Sequence, residues 1–238
     1  MGSAAHDLPY WQVNVPEHLR TAECPDFLRN LTDKDRGIIS TPDSEYEIDS
    51  WPVVQQKTAQ NRLDLFQRVP SDLRRYLGFT WRLKQDYGSV MNFILTQRLQ
   101  WTLPITPRGR PFELDDDIKI LRNDWPYGID GRIVHLVVWT KFALEEDPTT
   151  GDLTDTARAE IDGYVRKTFS KSPQDHVGHG NCSWLCSGTN RPQVIWFKNW
   201  ASLKSVKSVE HFHVMLFDPD PGFVDEVTNG DVPLCEKE

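Results

Sequence analysis

The first periodic stretch of the chain opens at Ser71. Leu73, Tyr76, Leu77, Thr80 and Trp81 recur at i, i+3, i+4, i+7 and i+8, which predicts one inward stripe of an α-helix introduced by Pro70. Gly88 is placed to close that helix, and Ser89 to cap a second one carrying Val90, Phe93, Ile94 and Gln97. Residues 1–55 are polar and proline-punctuated, with short apolar clusters at 10–15 and 27–31. They read as an arm with one or two short helices packed on the body, and Thr32 is a candidate N-cap. Pro104, Pro107 and Pro111 break the chain over 102–112.

Beyond that loop the pattern becomes strand-like. Residues 118–121 are short and apolar, 123–128 are turn-rich, and 133–139 form a continuous apolar run rich in β-branched side chains. A helix is predicted over 154–168, a polar Gly/Ser-rich loop over 170–192, and strands over 194–197 and 208–217, with Pro219 and Pro221 ending the sheet. Helices followed by β-β-α-β-β with short connections predict an α+β fold, an antiparallel sheet with helices on one face and an N-terminal helical region. One domain over 1–238 is expected: an arm to 55, a helical region over 56–101, and an α+β core over 112–221.

Composition narrows the classes. Nine Trp, eleven Phe and an apolar fraction of 38% supply a core and exclude a disordered chain. No run of 18 apolar residues offers a membrane span, and the first ten residues lack the basic-then-apolar pattern of a secretory signal. Cys24, Cys182, Cys186 and Cys235 are too scattered for a disulfide framework, so a cytoplasmic protein with reduced thiols is expected. The net charge of −8 argues against a general nucleic-acid coat. Residues 62–98, however, hold seven basic side chains against three acids, a local +4 that leaves −12 for the rest. Arg68, Arg74, Arg75, Arg82 and Lys84 are therefore candidate phosphate contacts, set against the plainer reading of a solvated helix face.

The candidate chemistry sits in the last strand. Alternation puts His211, His213 and Met215 on one face, with the imidazoles about 7 Å apart. Such a pair can act as base, nucleophile or metal ligands, or simply be two hydrogen-bonded histidines. His176, His179, Cys182 and Cys186 offer zinc-type donors, but their spacing departs from the usual paired ligand sets, and the segment reads first as a flexible loop. No cofactor is expected.

Two resemblances extend this reading. The order of strands with His135, Lys141, Asn199 and the Ser208-Val209-x-His-x-His segment resembles the histidine-triad fold. That likeness implies His211 as the first histidine, His213 as the nucleophile, Asn199 as the asparagine before the loop, and His135 as the histidine of an earlier strand. Met215 stands where a third histidine belongs, and the phosphate-cradling Gly-Gly is missing. Segments 23–31, 66–76, 87–93, 123–128, 135–141, 196–200 and 210–214 are similar to the fungal N-acetylglucosamine-induced protein family, which includes arginine-containing cyclodipeptide synthases.

This second resemblance implies arginyl-tRNA and a second aminoacyl-tRNA as partners, and is silent on the second amino acid and on oligomeric state. Residue chemistry permits the reaction. His213 is the candidate base or acyl carrier, while His211, Asn199 and His135 orient it or donate to an oxyanion. Asp124 and Glu210 are candidate guanidinium partners. Trp125, Tyr127, Trp139, Trp196, Lys198 and Trp200 are candidate pocket residues, and the tryptophans are equally core material. The alternatives are a histidine-triad-like nucleotide hydrolase or transferase and a non-enzymatic regulator of amino-sugar metabolism.

Overall fold

A computed structural model describes residues 8–169, 177–179, 193–199 and 209–237. The polar opening stretch forms single 3-10 turns and helix α1 (Asp33–Ile39), whose Thr32 cap accepts from the Asp35 amide. Helix α2 (Trp51–Ala59) follows, with Pro52 in its first turn, so the break expected at residue 55 falls inside a helix. Helix α3 (Pro70–Tyr87) begins on Pro70 and is closed by Gly88 at a φ of +74°, a conformation glycine adopts without a Cβ penalty. Leu73, Phe79 and Leu83 are buried, whereas Trp81, expected inside, is 39% exposed. The reason is that α3 is gripped from two sides. Leu73 and Leu77 meet Leu28 and Ile39 of the arm, while Phe79 and Leu83 meet the sheet.

Ser89 caps helix α4 (Val90–Phe93), accepting from the Asn92 amide at 3.0 Å. The chain then widens into a π-helical turn over Ile94–Leu99. A π turn advances each side chain by a smaller angle than an α turn. Gln97, expected on the inner stripe, is exposed in consequence, and Arg98 and Leu99 point inward instead.

The C-terminal half contains β1 (Ile118–Arg122), β2 (Ile133–Thr140), α5 (Asp155–Phe169), β3 (Val177–His179), β4 (Val194–Phe197), β5 (Glu210–Phe217) and α6 (Pro221–Thr228). The sheet order is β1-β2-β5-β4-β3, with the first four strands antiparallel and the short β3 running parallel to β4 at the edge. This is an α+β fold.

The expectation of helices on one face is corrected. Leu136, Val138, Trp196, Phe212, Val214 and Leu216 pack on Ile161 and Val165 of α5 and Val224 of α6. The opposite parity of the same strands is also apolar: Val137 and Trp139 meet α3 and the π turn, and Ile133, Ile195, Phe197 and Met215 meet Trp51 and Val54 of α2. Strands that are apolar at both parities require cover on both faces. His135, His211 and His213 lie on the α2–α3 side, and β2–β5 pairing sets Trp139 opposite His211 and Val137 opposite His213.

The turn over 123–128 fixes where this face ends. Gly128 N–H and the Tyr46 hydroxyl both donate to the Gln67 carbonyl, at 2.8 and 3.0 Å. A Cβ on Gly128 would lie 2.5 Å from the Tyr46 ring. Gly128→Ala is therefore expected to push Tyr46 off Gln67 and cost about 1–3 kcal/mol, read as a lower urea midpoint. An unchanged midpoint would mean the Tyr46 contact is dispensable.

Candidate active site

Three buried histidines and two asparagines form a continuous chain of contacts. Neighbouring strands bring His135 of β2 beside His213 of β5, with His135 Nε2 3.0 Å from His213 Nδ1. One of these two nitrogens carries the shared proton and the other accepts it. The Asn199 side-chain amide lies 3.0 Å from His213 Nε2, so both nitrogens of His213 are engaged. At the far end the Asn123 side-chain amide lies 3.2 Å from the His135 ring, and the Trp125 backbone N–H donates to Asn123 Oδ1 at 3.0 Å, fixing which way that amide faces. The His213 ring stacks on Phe197 at 5.0 Å, which is followed by Phe66 and Tyr127.

His211 is held differently. Its Nδ1 is 2.9 Å from the Val209 carbonyl, which can only accept, so Nδ1 bears a proton and, in the neutral ring, Nε2 bears the lone pair. The ring lies 4.5 Å from Trp139 in a tilted stack and meets His213 edge-on at 5.6 Å.

These side chains border a cavity of about 510 Å³, within the range of small-ligand pockets. His211, His213 and Asn199 line it from the sheet. Leu73, Tyr76, Phe79 and Thr80 of α3 and Phe93 and Ile94 also line it, as do the exposed Thr32 and Lys34 of the arm. His135 does not line it and sits behind His213. Trp125, Tyr127 and Trp139, expected in a pocket, do border the cavity. So does Arg68, whose guanidinium lies over the Tyr76 ring at 4.0 Å and whose Nε donates to the Trp125 carbonyl at 3.0 Å.

Other expected residues fall elsewhere. Trp196 occupies the opposite face, its indole N–H donating to Asp162 of α5 at 2.8 Å. Glu210 shares that parity and faces Lys198 at 3.6 Å, and Lys198 also pairs with Glu146. Asp124 lines the cavity, but its carboxylate already holds Arg98 at 2.8 Å. Arg74 donates to the Trp11 carbonyl, so like Arg68 it is turned into the protein rather than outward. Arg75 bridges Asp72 and the Cys235 carbonyl, leaving Arg82 and Lys84 on the exposed side of α3. Trp200, His176, Cys182 and Cys186 lie outside the described residues, as does the side chain of His179. Among the described residues no group of three His, Cys, Asp or Glu side chains gathers as a metal-ligand set, and no helix is long and apolar enough to cross a membrane.

Sequence reasoning passed over Asn123, Tyr76 and the Arg98–Asp124–Asp231 cluster. Arg98 binds Asp231 at 2.7 Å and Asp124 at 2.8 Å, and Asp231 also accepts the Arg122 amide at 2.9 Å. Burial opposes the Arg98 charge, but the two carboxylates hold its pKa above the ordinary value; burial pushes Asp124 up, against the pull of Arg98.

Burial pushes His135 down to about 3 and His213 well below its ordinary value, with Arg68 adding to both shifts and the neighbouring imidazoles to that of His213. Both rings are therefore neutral in the folded protein at pH values where an unfolded chain protonates them, near 6.5. The unfolded state then binds more protons, so stability is lost as pH falls below about 6.5, by about 1.4 kcal/mol per histidine at pH 5.5. Melting curves should show a Tm that drops from pH 7.5 to 5.5, with a shallower slope in His135→Gln. A flat profile would contradict neutral, desolvated rings.

Residues 50–217 match the family described as "Protein of unknown function (DUF3605)". The chain is similar to N-acetylglucosamine-induced protein 1 of Candida albicans, 28% identical over 200 residues that cover 76% of this chain and 73% of that protein. An uncharacterized protein of Saccharomyces cerevisiae is 29% identical over 140 residues, covering 57% of this chain and 64% of its own. Among solved structures, a crystal structure of HTC1 superposes with a TM-score of 0.56 at 22% identity, over 78% of this chain and 98% of that one, a likeness of fold.

Proposed function

We propose that this chain, which belongs to the family of unknown function matched over residues 50–217, is an acyl-transfer enzyme that joins two aminoacyl-tRNA esters into an arginine-containing cyclic dipeptide. The observation that carries the reading is His211. An imidazole whose neutral tautomer, set by Val209, carries its lone pair on Nε2 borders a cavity of about 510 Å³ walled by aromatic and aliphatic side chains. In this reading His211 is the base, and His213 is held in place by His135 and Asn199. His213, His135 and Asn199 are positioning residues in this account, holding the wall beside the base.

An aminoacyl ester is already activated, so peptide bond formation consumes no nucleotide. The α-amine of one aminoacyl group attacks the ester carbonyl of the other. A C–N bond forms, the C–O bond to the ribose breaks, and the proton taken by His211 Nε2 passes to the departing ribose oxygen. Repetition within the dipeptidyl ester closes the ring and frees the second tRNA. With Asp124 holding Arg98 and Glu210 on the other face, Asp35 is the lining carboxylate left for the substrate guanidinium. Incubation with arginyl-tRNA plus each other aminoacyl-tRNA, followed by mass spectrometry for a diketopiperazine, tests this reading. No cyclic product with any partner ends it.

A second reading, phosphoryl or nucleotidyl transfer through His213, draws on the alternating histidines and on Asn199 beside the ring. It requires His213 Nε2 to exchange Asn199 for phosphorus, with the buried Met215 in place of a third histidine. A phosphoramidate adduct on His213 after incubation with nucleoside phosphoramidates would favour it.

A further inference from the structure

The cations that border the cavity are not equivalent. Arg98 holds two carboxylates, Arg122 holds Asp225 at 3.2 Å, and Lys34 donates to the Asp64 carbonyl at 2.7 Å. Arg68 is half-buried, and no described carboxylate pairs with it. Its guanidinium lies over the Tyr76 ring and its Nε is spent on the Trp125 carbonyl, and no hydrogen bond among the described residues engages its two Nη groups. A guanidinium cannot shed its proton to escape burial, and a desolvated charge without a counter-ion is costly. Three residues restrain this guanidinium, Tyr76, Tyr127 and Trp125, and His213 and Asn199 line the sheet side of the same cavity. The fork geometry suits an oxyanion with two acceptor oxygens.

We infer that Arg68 is an internal anion-binding residue, and that the anion it takes is the phosphate of a nucleotide end that enters the cavity. It rests on the proposed acyl-transfer reading for the identity of that end, the 3′-terminal adenosine nucleotide of tRNA, whose phosphate precedes the ribose bearing the ester. The role differs from a surface contact with tRNA: Arg68 anchors one phosphate inside the protein, on the wall beside the histidines, and thereby sets how far the ester reaches towards His211.

Calorimetric titration of the full chain with 5′-AMP, adenosine, inorganic phosphate and N-acetylglycine tests the site without any acyl chemistry. AMP is expected to bind about 10- to 100-fold more tightly than adenosine. Arg68→Met, which keeps an unbranched side chain of similar reach without the charge, should erase that difference, and Arg68→Lys should keep part of it. Equal binding of AMP and adenosine by the wild-type protein, binding of neither, or Arg68-dependent binding of N-acetylglycine but not AMP would each overturn the phosphate assignment, even should Arg68→Met fail to fold. A chain that binds AMP through Arg68 yet makes no cyclic dipeptide would retain this site and lose the proposed reaction.

Discussion

Replacing His211 with alanine is expected to slow cyclic dipeptide formation by about 10²- to 10⁴-fold, the usual contribution of a positioned general base. The effect follows from three features of one side chain. Val209 fixes the tautomer, Trp139 fixes the ring plane at 4.5 Å, and the cavity gives the ring access to substrate. The ring is buried but lines the cavity, so its removal enlarges an existing space, and the melting curve of the variant is recorded beside the rate to show that it is folded. Product quantified by mass spectrometry under single-turnover conditions reads the rate. Turnover near the wild-type value in a folded His211→Ala would assign the proton transfer to another group. His213→Asn is the informative companion: it keeps a polar group between His135 and Asn199, and a smaller loss than that of His211→Ala is expected.

Breaking the Arg98 cluster should give the largest loss of stability. The Arg98, Asp231 and Asp124 side chains are only 8%, 9% and 16% exposed. Arg98→Met leaves two carboxylates desolvated and close together, and removing one partner of a buried ion pair costs about 3–5 kcal/mol. The cluster ties the π turn to the turn after β1 and to the chain beyond α6, where Asp124 also accepts the Leu234 amide at 3.0 Å. Urea denaturation should show a lower midpoint in Arg98→Met. Replacing Asp124 and Asp231 by leucine in the same variant should recover part of the loss, since it is the orphaned charges that are costly. A midpoint within error of the wild type would mean that solvent already screens the cluster.

How much of this was legible in the sequence depends on the range of the interaction that decides each feature. The strands over 194–197 and 133–139 and the helix over 154–168 were readable because apolar runs and periods are local, as were the caps at Thr32, Ser89 and Gly88. The π turn was not: nothing in the residues 94–99 marks the change of period that exchanges Gln97 for Arg98. Helix α6 carried a signal that went unused, since Asp220 before Pro221 is a cap followed by a first-turn proline, and Asp220 does accept from the Phe223 amide. The second covered face was also written in the unbroken apolar run of β2. At the site, alternation correctly grouped His211 with His213. Which of the two holds a proton-accepting lone pair depends on the Val209 carbonyl and on Asn199, and the loss of Asp124 to Arg98 joins residues 26 apart in the chain.

The most direct measurement follows the fate of a labelled arginyl group. Arginyl-tRNA carrying label in the amino acid, mixed with the protein and an excess of total aminoacyl-tRNA, should transfer the label to a cyclic dipeptide in the wild type and leave it on tRNA in His211→Ala. Label that stays on tRNA in both, or that appears only as free arginine, would contradict the account.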